Sequence, residues 1–154
     1  MPRHTVRDIV EEVRGADEVC GPSRSYSIGD AGGLTQFGAI LEVLPPGSRT
    51  SLTHWHAAED ELVYVLEGQV TLVEGEAETV LGTGDAATFK AGVPIGHHLE
   101  NRGGAEARIL VVGTRAPVEA ITYPHQDRVC HRDRSLPHDV WTDGSGRPAP
   151  NPYG

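Results

Sequence analysis

From Leu34 onward the chain settles into a two-residue period. Phe37, Ala39, Leu41 and Val43 alternate with Gly38, Ile40, Glu42 and Leu44, which predicts a strand that Pro45-Pro46-Gly47 ends. Further short runs rich in β-formers follow at Thr50–His56, Leu62–Leu66, Gln69–Val73, Thr79–Leu81, Ala86–Phe89, His97–Asn101 and Ala107–Val112. Turn signals separate several of them, at Glu67-Gly68, Glu74-Gly75-Glu76 and Gly82-Thr83-Gly84-Asp85. Asp85 is expected to cap the last of these turns. Short strands closely spaced by turns predict an all-β sandwich or barrel, and no helical pattern between strands suggests βαβ units.

The ends of the chain read differently. Val6, Ile9, Val10 and Val13 fall at helical spacing, so Thr5–Val13 is predicted as a short N-terminal helix stopped by Gly15. Gly21–Gly33 is Gly/Ser-rich and reads as a loop or an irregular edge. The residues after Tyr123 are polar and rich in Pro, Arg and Asp, an extended C-terminal tail with no periodicity. The expected organisation is an N-terminal extension over 1–33, a barrel over 34–123 and a C-terminal arm over 124–154.

Composition narrows the function classes. With 154 residues and 38% apolar residues the chain can bury one core. Nineteen Gly and eleven Pro disfavour long helices and fit many turns. A net charge of −9 with no basic run argues against nucleic acid as a partner. No apolar run approaches the roughly 18 residues of a membrane span. Met1–Val10 is charged and lacks the apolar stretch of a secretory signal. Cys20 and Cys130 form neither a CxxC pair nor a disulfide framework and read as inert, so a reducing cytoplasm is the expected location.

The chemistry concentrates in histidine. His54-Trp55-His56 places two imidazoles on one side of a strand, where both can reach one ion at about 2.1 Å. HxH alone is a weak signal. Glu61 strengthens it: it would share a face with Val63 and Val65 as the one charge among apolar neighbours, and a metal ion would compensate that burial. Glu59 and Asp60 read as solvated turn residues. At His97-His98 strand alternation turns only one ring inward. Leu99 looks like core and shares parity with His97, which favours His97 and leaves His98 as the alternative. His4, His125, His131 and His138 lie in polar ends and are expected to be solvated. Trp55 and Tyr64 are expected on the outer barrel face or at a subunit contact, and Phe37, Ile40 and Leu99 are possible pocket-lining residues.

These residues resemble the two motifs of the cupin superfamily. The first is Gly47-x6-His54-x-His56-x4-Glu61-x6-Gly68, one residue longer than usual before the first His. The second begins at Gly84-Asp85 and continues through Gly92, His97 and Asn101. Lys90 stands where that motif usually has Pro, and two extra residues separate Gly92 from the His. The resemblance covers roughly Leu34 to Tyr123, and within the superfamily the chain is similar to small single-domain bacterial cupins. It implies a double-stranded β-helix, a jelly-roll barrel, holding a divalent metal near its mouth. Carried over position by position, the ligands are His54, His56, Glu61 and His97.

That donor set suits Fe, Mn, Ni, Cu or Zn without choosing among them. The implied function is a metal-dependent enzyme of dioxygenase, decarboxylase or isomerase type acting on a small organic substrate. The fold does not choose among these chemistries. The alternative is a non-catalytic barrel that binds a small molecule or sugar. The roughly 30 residues before the barrel leave no room for a DNA-binding helix-turn-helix. A homodimer is also implied, with Leu34–Leu44 and the polar tail at its interface. No general base stands out in the sequence, apart from His98 should it turn inward.

Overall fold

The computed structural model describes residues 3–5 and 7–154. Strands β1 (Glu11–Arg14) and β2 (Ser23–Ser27) form an antiparallel pair, followed by the single turn of helix α1 (Ile28–Ala31). The barrel strands are β3 (Phe37–Leu44), β4 (Trp55–His56), β5 (Glu61–Glu67), β6 (Gln69–Glu74), β7 (Ala77–Gly82), β8 (Ala86–Phe89), β9 (His97–Glu100), β10 (Ala107–Thr114) and β11 (Val118–Tyr123). Two more, β12 (Arg128–Asp133) and β13 (Val140–Thr142), come from the C-terminal arm. One sheet has the order β1-β2-β3-β10-β5-β8. Opposite it lie β7-β6-β9 and β13-β12-β11-β4, which an isolated bridge between His54 and His97 brings edge to edge. The result is the jelly-roll double-stranded β-helix, all-β apart from α1 and a single 3-10 turn among the described residues.

Two expectations for the ends are corrected. Thr5–Val13 is not a helix over its described residues: Glu11–Arg14 is strand, and the short helix of the extension lies at Ile28–Ala31. Of the apolar positions that predicted it, Val6 lies outside the described residues, Ile9 is half-buried, and Val10 and Val13 are 77% and 69% exposed, so a helix would gain little burial at those two. Gly21–Gly33 is more regular than its composition suggests, because β2 finds a partner in β3. Thr50–His56 pairs as strand only at its end, over Trp55–His56. The tail is extended, and β12 continues the sheet beyond β11.

The core lies between the sheets. Leu44, Val63, Val65, Val70, Leu72, Leu81, Leu99, Ala107 and Ile109 form one buried cluster, and burying each large aliphatic side chain contributes roughly 1.5–3 kcal/mol. A smaller cluster of Cys20, Leu52, Ile121, Tyr123 and Cys130 packs with Trp141 beneath the C-terminal arm. At the β5–β6 turn Gly68 has φ +81°, and a Cβ there would lie 2.9 Å from the Glu106 carbonyl oxygen, so the turn requires glycine. Among the described residues no helix is long and apolar enough to cross a membrane.

Candidate metal centre

The barrel brings His54, His56, Glu61 and His97 to one end of its interior. His54 and His56 flank the start of β4, and Glu61 opens β5. His97 opens β9 opposite His54. One donor atom from each of His54, His56 and Glu61 lies within 4.8 Å of the others. His56 Nε2 is 3.5 Å from Glu61 Oε2, and His97 Nε2 is 3.6 Å from Glu61 Oε1. Two donors bound to one ion at about 2.1 Å stand about 3.0–3.4 Å apart, so a small adjustment closes these gaps. The His54 ring centroid is 5.0 Å from that of His56 and 5.0 Å from that of His97.

Each ring is oriented from behind. His54 Nδ1 lies 2.9 Å from the Leu52 carbonyl oxygen, which can only accept, so Nδ1 carries the proton and Nε2 keeps its lone pair. Ser51 Oγ is 3.1 Å from the same Nδ1. Burial lowers the His54 pKa to about 4, so the ring is neutral near pH 7. Phe89 stacks on His97 with centroids 3.5 Å apart and planes 1° from parallel. His97 Nε2 is buried and has no hydrogen-bond partner among the described residues, an orphan atom aimed at Glu61. Burial alone would raise the Glu61 pKa, but His56 and His97 beside it hold it well below the usual carboxylate range. Three imidazoles around one ionised carboxylate form a donor set suited to a divalent transition metal.

His98 turns the other way. Thr53 Oγ1 lies 3.0 Å from its Nδ1, and its Nε2–H donates to Glu100 Oε1 at 2.8 Å. Both ring nitrogens are therefore engaged outside the cluster.

Two glutamates that sequence reasoning missed also belong here. Glu119 of β11 stands behind His56, with Oε2 3.7 Å from His56 Nδ1. Its Oε1 accepts from the amides of Ala57 and Ala58 at 2.9 and 3.0 Å, which ties β11 to the loop after the histidines. Glu59, expected in solvent, is buried: Oε1 accepts from Arg134 at 2.6 Å and from the Ala116 amide at 2.8 Å, while Oε2 is 4.0 Å from His56 Nδ1. Burial would lower the His56 pKa, but Glu61, Glu119 and Glu59 around the ring raise it. Only pairing across the barrel assembles this shell, so no local motif announces it. Glu42 of β3 is the other addition. It carried one sequence signal, as the lone acid on the Ile40/Leu44 side of its strand.

The cluster is reached through a mouth of about 190 Å³ whose walls include Trp55, Phe89, Lys90, Val93 and Ile95 beside His56 and His97. Trp55 lines the approach, where the sequence predicts the outer barrel face or a subunit contact. Behind the cluster lies a smaller hollow of about 140 Å³ bounded by Leu99, Val63 and Glu42.

Residues 40–113 match the model of the cupin domain. The fold is similar to that of a sugar phosphate isomerase from a cupin superfamily of Silicibacter pomeroyi, at 37% identity over 97% of each chain with a TM-score of 0.85. It is also similar to a candidate sugar phosphate isomerase of Acidithiobacillus ferrooxidans, at 28% identity over 84% of this chain and 81% of that one, TM-score 0.75. The polyketide cyclase RemF of Streptomyces resistomycificus is similar at 28% identity over 74% and 79% of the two chains, TM-score 0.59. No curated protein matches the chain.

Proposed function

The chain belongs to the cupin superfamily, and from that premise we propose that it is a metal-dependent enzyme isomerising a small anionic carbonyl compound of the sugar-phosphate kind. The observation that carries this reading is the convergence of His54, His56, Glu61 and His97, with the orphan His97 Nε2 aimed at Glu61. These four residues would hold Fe, Mn, Ni, Cu or Zn. Bound there, the ion would act as a Lewis acid on a substrate oxygen. The chain's own residues do the rest. His54 is kept neutral and pinned by the Leu52 carbonyl oxygen, Phe89 fixes the His97 plane, and Trp55, Val93 and Ile95 supply the apolar part of a mouth that Glu59, Glu74 and Lys90 also line.

Among dioxygenase, decarboxylase and isomerase chemistries, isomerisation has the most support. The Silicibacter pomeroyi protein, similar over nearly its whole length, is called a sugar phosphate isomerase. Lys90, the only lysine of the chain, lines the mouth, where an ammonium suits a phosphate group. A pair of single variants tests the ligand set. His97→Ala is expected to weaken metal binding by at least about 100-fold, while His98→Ala stays within about threefold of the parent, read by competitive titration against a chromophoric chelator. Equal losses from the two variants would remove His97 from the centre.

We also place the protein in the cytoplasm, as two buried free thiols suit a reducing compartment, and we propose that it pairs as a homodimer. The outer face of β3, β5 and β10 supports the pairing: Leu62, Tyr64 and Leu66 are 37%, 40% and 43% exposed there, beside a hollow of about 600 Å³ with Phe37 and Val112 on its walls. Light scattering should give twice the chain mass, and Tyr64→Glu should halve it. A parent protein that runs at one chain mass contradicts the pairing.

A further inference from the structure

The hollow behind the His/Glu cluster contains a carboxylate that is no part of the cluster. Glu42 reaches it by register. It pairs with Ile109 of β10, and Ile109 pairs with Val65 of β5, so all three face the barrel interior. Further along the same inner face Ile40 pairs with Val111, Val111 with Val63, and Gly113 with Glu61. Glu42 thus forms one wall of a cavity of about 140 Å³ whose other walls include His54, Glu61 and His97. Among the described residues its carboxylate has no hydrogen-bond partner; the charged groups acting on it are Arg14 and Glu61. Arg14 does not neutralise it by direct pairing, because that guanidinium donates to the carbonyl oxygens of Gly21, Thr50 and Arg49. A half-buried carboxylate in a cavity wall shared with Glu61, with Arg14 engaged elsewhere, is costly to keep ionised, and such groups concentrate where proton transfer is needed.

Glu42 also has a way out to water. It lines a second, more open groove of about 330 Å³ with Glu12, Arg14, Glu18 and Ser25, where β1 and β2 carry the sheet on beyond β3. A group on the wall of both the reaction cavity and a solvent-open groove can exchange its proton with bulk water.

We infer that Glu42 is the residue that exchanges a proton with the substrate bound in this cavity. The assignment rests on the isomerase reading above for the identity of the reaction. As a carboxylate, Glu42 takes the proton from the hydroxyl-bearing carbon beside the substrate carbonyl. The C–H electron pair becomes a carbon–carbon double bond, and the carbonyl π pair moves to its oxygen. The neighbouring hydroxyl passes its proton to that oxygen. The Glu42 carboxylic acid then returns its proton to the former carbonyl carbon, and the isomeric carbonyl forms. Atoms and electrons balance within the substrate, with no oxidant or reductant.

The test uses the purified holoprotein in deuterated water with glucose 6-phosphate, mannose 6-phosphate and ribose 5-phosphate as probes. Proton NMR reads deuterium entering the carbon beside the carbonyl. The parent protein should exchange at least one probe. Glu42→Gln should slow that exchange by about 10²–10⁴-fold with metal content per chain unchanged. Exchange at the parent rate overturns the assignment, and so does a variant that loses its metal, since Glu42 would then be a ligand. If the parent exchanges none of the probes, the isomerase reading falls and Glu42 is judged separately. Acetohydroxamate, which sheds a proton when it chelates a metal, is titrated calorimetrically in two buffers of different ionisation enthalpy. Release of about one proton more by Glu42→Gln than by the parent supports Glu42 as the cavity's proton acceptor, and the lack of such a difference overturns it.

Discussion

The His54→Ala/His56→Ala double variant is expected to carry no stoichiometric metal while keeping its fold. The two rings supply half of the four donors, and both approach Glu61 from the β4 side. Glu61 and His97 alone leave a two-donor site, too few to hold a transition ion against cellular competition. The fold should survive because its stability lies elsewhere. Leu44, Val63, Val65, Leu99 and Ile109 pack in the middle of the barrel, and the loop after β4 is tied to β11 by the Glu119 carboxylate, which accepts from the Ala57 and Ala58 amides, rather than by an imidazole. Elemental analysis of protein purified without a histidine tag or added metal measures this directly. The parent should hold roughly one ion per chain and the variant less than about a tenth of that. Circular dichroism should show the same β signature for both. Parent-level metal in a folded double variant would sink the site assignment. A parent that holds none and takes up none of Fe, Mn, Ni, Cu or Zn would leave a metal-free binding barrel in its place.

The parts of this site that could be read from the sequence are those with a local signature. The HxH on a short strand, Glu61 at the head of an apolar run and the parity of His97 with Leu99 each depend on a few neighbouring residues, and the cluster assembles from them. Leu62–Leu66 and Phe37–Leu44 announced their strands because β-formers and alternation coincide there. The hairpin of β1 and β2 did not, since EEVR and SRSYS are polar and gain their regularity from pairing with each other and with β3. The same applies to β12 and β13, whose sequences RVCHRD and VWT have no common period. Glu119 and Glu59 could not be linked to His56 in advance: Glu119 lies more than half the barrel away in sequence, and Arg134, which helps bury Glu59, comes from the arm read as featureless. Glu42 lies between these cases. Its parity on β3 was legible, but whether that side faced a cavity depended on β10 and β5 closing over it.

Glu42→Gln should make the metal-free protein more stable at neutral and alkaline pH while leaving it unchanged in acid. Burial pushes the Glu42 carboxyl from 4.5 up to about 7, Arg14 opposing and Glu61 reinforcing. The folded chain therefore holds this proton more tightly than the unfolded chain does. Below the unfolded value both states are protonated and Glu42 is neutral in each. Between that value and about pH 7 the unfolded chain has released the proton while the folded chain keeps it, so stability falls as pH rises. Above the folded value the full shift is felt, about 3 kcal/mol as an upper figure at 1.36 kcal/mol per unit. Glutamine has nearly the same shape and no charge, so the variant escapes this loss. Glu61 has the opposite slope, stabilising the fold at neutral pH and losing that contribution on acidification; it is present in both proteins, so the comparison reads Glu42 together with its repulsion from Glu61. Urea denaturation of the chelator-treated pair near pH 4 and near pH 8 makes that comparison. Curves that coincide at both pH values would place this carboxyl in water rather than in the cavity wall. A gain confined to the higher pH, in a variant that no longer exchanges substrate protons, would mark Glu42 as a charge kept at the expense of stability because the reaction uses it.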